Sequence, residues 1–293
     1  MLEQSAEKVF ASIMGAYQIS ARITDNVTYC GEWIDREPQM DRGIFHLISS
    51  GKCRVEASYL AEAITLGAGD LIVFPRGRAH TLCQVMRSGI EVPADTAMLC
   101  GEFTSQGGKR NAVLDSLPDW FVVRDPEESG HFRSLGQMMA AQSGQSLFGN
   151  QLVLNKLADS LLVLAIRSHV VKDLPRQGLL AALNDPRLSR ALAAMHEDAG
   201  RNWSIAELAE VALLSRTAFC EHFSAVLGVA PMQYLTEWRM AEALRLLRDP
   251  NQSVARIAER LGYQTEAAFR RAFKRVQGFA PGKVRQDAAS PAP

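Results

Sequence analysis

Hydrophobic and polar positions follow three rhythms along the 293 residues. Residues 1–20 place Val9, Phe10, Ile13 and Met14 at helical spacing, which predicts a short opening helix. From Ile19 to about Val123 the rhythm shortens. Gly43–Ile48, Lys52–Glu56, Leu71–Phe74 and Ala97–Cys100 are brief runs cut off by Gly, Pro and Asp. Many short strands with turn residues between them predict a barrel or jelly roll. The acidic stretch 118–130 reads as connecting chain. Helical spacing returns at His131, over 131–142 and again over 151–170, where Leu154, Leu157, Leu161, Leu164 and Ala165 make a broad apolar stripe. That stripe fits core packing within the chain or contact with a second subunit. Residues 173–184 read as a link. Asp185-Pro186 then opens a helix through His196, with Leu188, Leu192 and Met195 inward and His196 a packing or capping residue.

The region from Trp203 to Arg285 is one pattern written twice. Ser204, Leu208 and Ala209 reappear as Ser253, Ile257 and Ala258, and Phe219, Phe223, Gly228 and Pro231 as Phe269, Phe273, Gly278 and Pro281. Each copy reads as a helix-turn-helix. In the second, Ser253 caps a helix with Val254, Ile257, Ala258 and Leu261 on its apolar side, and Gly262 permits a tight, left-handed turn. The following helix turns Ala268, Phe269, Ala272 and Phe273 inward and leaves Arg270, Arg271, Lys274 and Arg275 outside. A single basic amphipathic pair would be an ordinary solvated face. Two copies at matching spacing indicate duplicated units, joined by a long helix from Pro231 to Leu247.

The motifs ELAEVALLSRTAF, APMQYLTEWRMAEALRLL and IAERLGYQTEAAFRRAFKRVQGFAPGKVR resemble the DNA-binding domain of the AraC/XylS family of bacterial transcription regulators. The resemblance implies that both units enter successive major-groove segments on one face of double-stranded DNA, about one turn, or about 34 Å, apart. By family position the groove residues are Arg216, Thr217, Cys220 and Glu221 in the first unit, and Glu266, Ala267, Arg270 and Arg271 in the second. Thr265 is placed near the DNA backbone, and Lys274 and Arg275 as phosphate contacts. Arg239, in the family's W-R-M element, is expected to make an intramolecular or phosphate contact. Phe219, Phe223 and Trp203 are expected in the core. Both units depart from the family pattern: the first has Leu213 where many members carry glycine in the turn and the acidic Glu221 at a reading position, and the second has Gln264-Thr265-Glu266 where small polar residues and proline are common.

Lys/Arg and Asp/Glu balance at 32 each, but the balance is uneven along the chain. Residues 201–293 hold 13 basic and 9 acidic side chains, so the excess lies with the duplicated helices, as a phosphate-binding surface requires. No apolar run reaches membrane-spanning length and no signal stretch opens the chain. Five cysteines without a CxxC pair favour a reducing cytoplasm over a disulfide framework.

Leu66–His80, LGAGDLIVFPRGRAH, resembles the second half of a cupin motif, with FHLISSGKCRVE before it and MLCGEF after it. The implied architecture is α+β with two domains. An N-terminal cupin-like β-barrel over 1–130 is followed by a helical pair and linker over 131–184. An all-α DNA-binding domain with two helix-turn-helix units spans 185–285, and a disordered tail 286–293. His46, Arg54, Arg76, His80 and Cys83 are the polar candidates for an effector pocket. A metal-binding cupin has a second histidine and a carboxylate beside His46, and both are missing, so no metal, no cofactor and no enzymatic activity are expected. The leading expectation is a regulator, activating transcription in response to a small-molecule or stress signal, with RNA polymerase and a second copy of the chain as partners. The alternatives are a cupin metalloenzyme with a DNA-binding appendage, using His46 and His80, and a redox-responsive regulator using Cys83 or Cys100.

Overall fold

The computed structural model describes residues 2–17, 19–85, 95–105, 111–124, 130–143, 147–173 and 177–289. The chain divides into two compact units. One comprises Ile19–Thr104 and Leu117–Asp173, the other Met1–Gln18, Ser105–Ser116 and Leu174–Pro293.

The first unit is built on two sheets. β1 (Ile19–Tyr29), β8 (Thr96–Ser105), β3 (Gly43–Ser50), β6 (Leu71–Phe74) and β9 (Phe121–Val123) lie in that order in one sheet. β2 (Ile34–Glu37), β7 (His80–Gln84), β4 (Lys52–Glu56) and β5 (Ile64–Gly67) form the other. Ile48, Cys53, Val55, Leu66, Ile72, Phe74, Leu82, Met98 and Cys100, drawn from both, make one core. The outer face of the five-stranded sheet is covered as well. α3 (His131–Ser143) lies so close to β3 that a Cβ on Gly136 would press on Leu47. α4 (Asn150–Asp173) is tied to β1 by the Ala21 amide donating to Asp159 Oδ1 at 2.8 Å, and to β9 by Phe121 stacked on His169. Two covered faces explain why β6 is buried at all four positions, whereas β4 in the other sheet alternates exposed and buried. The GD turn before β6 is fixed by Asp70, whose carboxylate accepts from the Gly67 amide (2.9 Å) and the Arg124 guanidinium (2.7 Å).

The second unit is all helical. It takes in α1 (Leu2–Tyr17), α2 (Ala112–Asp115), α5 (Leu179–Asn184), α6 (Pro186–Glu197), α7 (Ile205–Val211), α8 (Arg216–Leu227), α9 (Pro231–Leu247), α10 (Val254–Arg260), α11 (Glu266–Gln277) and α12 (Pro281–Ala289). α1, which the sequence grouped with the strands, buries Val9, Ile13 and Ala16 against α5, α6 and α9. Its Tyr17 ring lies 6.4 Å from that of Trp238. Three further differences from the sequence reading concern short elements. α5 occupies the supposed link and is buried at Leu179–Leu183, with no polar stripe to announce it. β9 lies in the supposed connecting stretch. α12 continues through Gln286 to Ala289, where a disordered tail was expected, and residues 290–293 lie outside the described set.

The two repeats fold alike. Ser204 and Ser253 cap α7 and α10, Ser215 and Thr265 cap α8 and α11, and Gly228 and Gly278 end those two helices in left-handed geometry. The turns match too, although their residues do not: Gly262 has φ +80° and Leu213 φ +56°. A leucine in that region strains its backbone, and at 72% exposure Leu213 gains little burial in return. Leu213→Gly is therefore expected to stabilise the helical unit by about 0.5–1 kcal/mol, the strain relieved less the greater chain entropy of glycine. A higher thermal unfolding midpoint checks this, and a lower one would show that the turn is not strained.

Candidate nucleic-acid interface

In the first repeat, Phe219 and Phe223 are fully buried with ring centroids 5.5 Å apart, and Phe223 meets Tyr234 of α9 edge-on. Anchoring one face of α8 in this way turns the opposite face out. Arg216, Thr217 and Glu221 are exposed and Cys220 is half-buried. Trp203 packs at the start of the repeat, its indole N–H donating to the Asp198 carbonyl at 2.9 Å while Arg201 covers its ring.

In the second repeat, Phe269 and Phe273 pack with Met240, Leu244, Leu247, Ile257, Leu261 and Val284. Ala267, Arg270, Arg271, Lys274 and Arg275 are exposed in consequence. Two of the expected contacts are engaged within the chain. Arg270 Nε donates to Glu266 Oε1 at 2.6 Å, an i,i+4 ion pair that must open before Arg270 reaches a base. Thr265 accepts from the Ala268 amide at 3.2 Å as the cap of α11.

Arg239 is engaged within the chain. It projects from α9, donating from Nε to the Ala199 carbonyl (2.6 Å) and from Nη2 to the Arg201 carbonyl (2.8 Å), and its guanidinium lies 5.8 Å from the Tyr263 ring. Of the two roles left open, intramolecular or phosphate, it fills the intramolecular one. The loop it holds abuts the turn of the second repeat. A Cβ on Gly262 would overlap the Gly200 carbonyl, and one on Gly200 would overlap the Arg260 carbonyl. Arg239 thus joins the linking helix, the entry to the first repeat and the turn of the second.

His196 also faces inward. Its ring stacks on Trp238 at 3.5 Å, its Nε2 pairs with the Tyr234 hydroxyl at 2.8 Å, and burial lowers its pKa to about 3. It is a neutral packing residue.

The five effector candidates of the sheet unit fall in three places. His46 and His80 are buried in the core. Arg54 and Cys83 are cross-strand neighbours on β4 and β7, where Arg54 is exposed and paired with Glu56 at 2.9 Å. Arg76 sits in the turn after β6, bonded to the Leu117 carbonyl (3.0 Å) and Asp119 (3.2 Å). The strand alternation that places His80 inside places Cys83 outside, so the five do not converge on one pocket.

The core histidines form an ordered chain with a residue outside the candidate set. His80 Nδ1 lies 2.7 Å from the Arg78 carbonyl, which only accepts, so that nitrogen carries the proton and Nε2 is bare. His46 Nε2, 2.9 Å away, must then donate to it, and the Cys100 thiol donates to His46 Nδ1 at 3.1 Å. Every member is neutral. Burial lowers the His46 pKa to about 3 and lowers that of His80, and it raises that of the Cys100 thiol. Among the described residues no group of three or more His, Cys, Asp or Glu is placed to hold an ion. The His46–His80 pair brings two ring nitrogens together, fewer than the three ligands that the metalloenzyme alternative calls for. Burial also raises the Cys83 pKa. Cys100 was legible as a strand residue, but its pairing with His46 depends on the β3–β8 register.

Two capped helix pairs, each showing an outward helix and joined by a buried rigid spacer, define a paired helix-turn-helix protein. The cupin family profile matches residues 8–171 and a helix-turn-helix domain profile residues 208–287. A putative AraC-like transcription regulator of Streptomyces lividans is 31% identical over 271 residues, covering 84% of this chain and 88% of its own. An uncharacterized HTH-type transcriptional regulator of Haemophilus influenzae is 29% identical, with 92% and 95% covered. The RCS-specific HTH-type transcriptional activator RclR of Escherichia coli is 27% identical, with 85% and 86% covered. The chain belongs to the AraC/XylS family, with an N-terminal cupin-like domain and a C-terminal helix-turn-helix domain. It is a sequence-specific DNA-binding transcription regulator.

Arg239→Ala is expected to destabilise the helical unit by about 2–3 kcal/mol, the worth of hydrogen bonds from a charged group. It should also weaken binding to a two-segment operator without changing the salt dependence. A salt slope that falls by about one ion would reveal a phosphate contact instead.

Proposed function

We propose that α8 and α11 are the two reading helices and that they divide the work. The observation that carries this is the pair of anchored phenylalanines in each repeat, which leaves the same helix face outward twice. On α8, Arg216, Thr217, Cys220 and Glu221 face the groove, with Glu221 accepting from a cytosine amino group. On α11, Ala267, Arg271 and, once freed from Glu266, Arg270 read base edges, while Lys274 and Arg275 hold phosphates. Thr265 acts near the backbone through the helix start that it caps.

Binding of the full chain to its own promoter region, with single-base variants and several salt concentrations, tests the division. Arg271→Ala should cost about 1–3 kcal/mol on the preferred sequence and relax discrimination at one position. Lys274→Ala should weaken all sequences alike and reduce the salt slope by about one. Equal affinity for every duplex would end the reading. Activation through RNA polymerase, also proposed, is read as more transcript from that promoter with purified polymerase; unchanged or reduced transcript speaks against it.

We propose further that the two sheets close into a cupin-type barrel that receives a small-molecule or stress signal. The buried His46–His80 pair is the polar element such a signal would have to separate. The site of action is the cytoplasm, where the chromosome lies, and among the described residues no helix is long and apolar enough to cross a membrane. A homodimer contact on α3, α4 and the turn that precedes α4 is supported by the exposure of Met138, Leu147, Phe148, Leu152 and Val153. Phe148→Asp should shift sedimentation from dimer to monomer. A wild type that is monomeric at all concentrations rules the dimer out.

A further inference from the structure

The helical unit contains a cavity of about 810 Å³, within the range of about 300–1,000 Å³ that small-molecule sites occupy. Its wall takes Tyr17 from α1, Asn111 and Ala112 from the segment around α2, Thr236 and Ala241 from α9, and Arg275 from the last turn of α11. All of these belong to the unit that carries the reading helices.

One group in this wall has an unused bond. Asn111 is only 8% exposed. Its Oδ1 is spent, accepting from the Val113 (3.0 Å) and Leu114 (3.1 Å) amides, but its buried Nδ2 has no partner. A buried amide donor left unmade costs about 1–3 kcal/mol, so an acceptor that reaches Nδ2 once the side chains shielding it shift recovers that cost. We propose that this cavity is an effector site, taking a neutral molecule with an apolar body and one carbonyl, ester or amide oxygen that accepts from Asn111 Nδ2. The charge of the wall selects neutrality. Asp115 and Glu237 oppose an anion more than Arg275 alone draws one, and a cation leaves the Asn111 donor unanswered.

The position of the cavity gives the site a consequence. A molecule there touches both the linking helix and the end of α11, so any difference in its affinity between DNA-bound and free states changes operator affinity by the same factor. This site does not depend on the sheet unit taking a signal of its own.

The test uses 6-propionyl-2-(dimethylamino)naphthalene, a neutral apolar ketone whose fluorescence reports its surroundings, titrated into the full chain. Saturable one-to-one binding is expected. Asn111→Asp keeps the cap, since aspartate caps as well as asparagine, but replaces the donor. It should weaken binding about tenfold, the upper worth of one neutral hydrogen bond. Ala241→Leu fills the cavity and should abolish binding while circular dichroism stays that of wild type. Ala112→Leu, on the opposite wall, serves the same purpose if Ala241→Leu fails to fold. Operator affinity should change on adding the ketone to wild type and stay constant in the filled variant. Absence of saturable binding, or equal binding by wild type, Asn111→Asp and a folded filled variant, overturns the proposal.

Discussion

Arg239 holds the helical unit together at the point where its two repeats meet. A guanidinium has five donors in a fixed plane, so one side chain can bond two neighbouring carbonyls at once, and Arg239 does so at Ala199 and Arg201. The loop pinned in this way presses its Gly200 backbone onto the turn at Gly262, where neither chain has room for a side chain. Reading two groove segments requires a fixed separation between α8 and α11. A long buried helix alone fixes only one end of each repeat. The arginine and the glycine contact supply a second attachment between the two repeats.

Burial decides the chemistry of the sheet unit. A strand stretch covered on both faces has to be apolar throughout, and the buried part of β3, Gly43–Ile48, conforms except at His46. That residue is tolerated because His80 and Cys100 meet both of its ring nitrogens. Neutral, mutually satisfied groups cost little in a core, whereas the ion ligands or thiolates that other cupin chemistries need would have to carry charge there. The same residues that suggest a metal site in the sequence serve in the structure as a closed hydrogen-bond chain. The helical unit shows the reverse case at Asn111, whose Nδ2 is left without a partner in the wall of a cavity.

How much was legible follows the range of the interaction. The duplicated pattern, the caps at Ser253 and Ser204, the inward phenylalanines and the outward basic face were readable, because each depends on spacing within one or two helical turns. The short elements α5 and β9 escaped notice, since six or three residues carry no periodicity and their apolar character comes from what covers them. Leu213 shows how residue type can mislead. Leucine stands where many family members carry glycine, yet the chain adopts the left-handed geometry that its glycine counterpart uses, because the surrounding helices dictate where the backbone must go.

The sequence by itself determined the two-part plan, the family and the outward faces of the reading helices, all of them consequences of local pattern and repetition. Tertiary structure decided which candidate residues are free to act. It drew Arg239 inward, dispersed the expected effector pocket and attached the N-terminal helix to the helical unit. Each of these depends on partners tens or hundreds of residues away, or on which face a strand turns to the core, and packing supplies that information where composition and spacing do not.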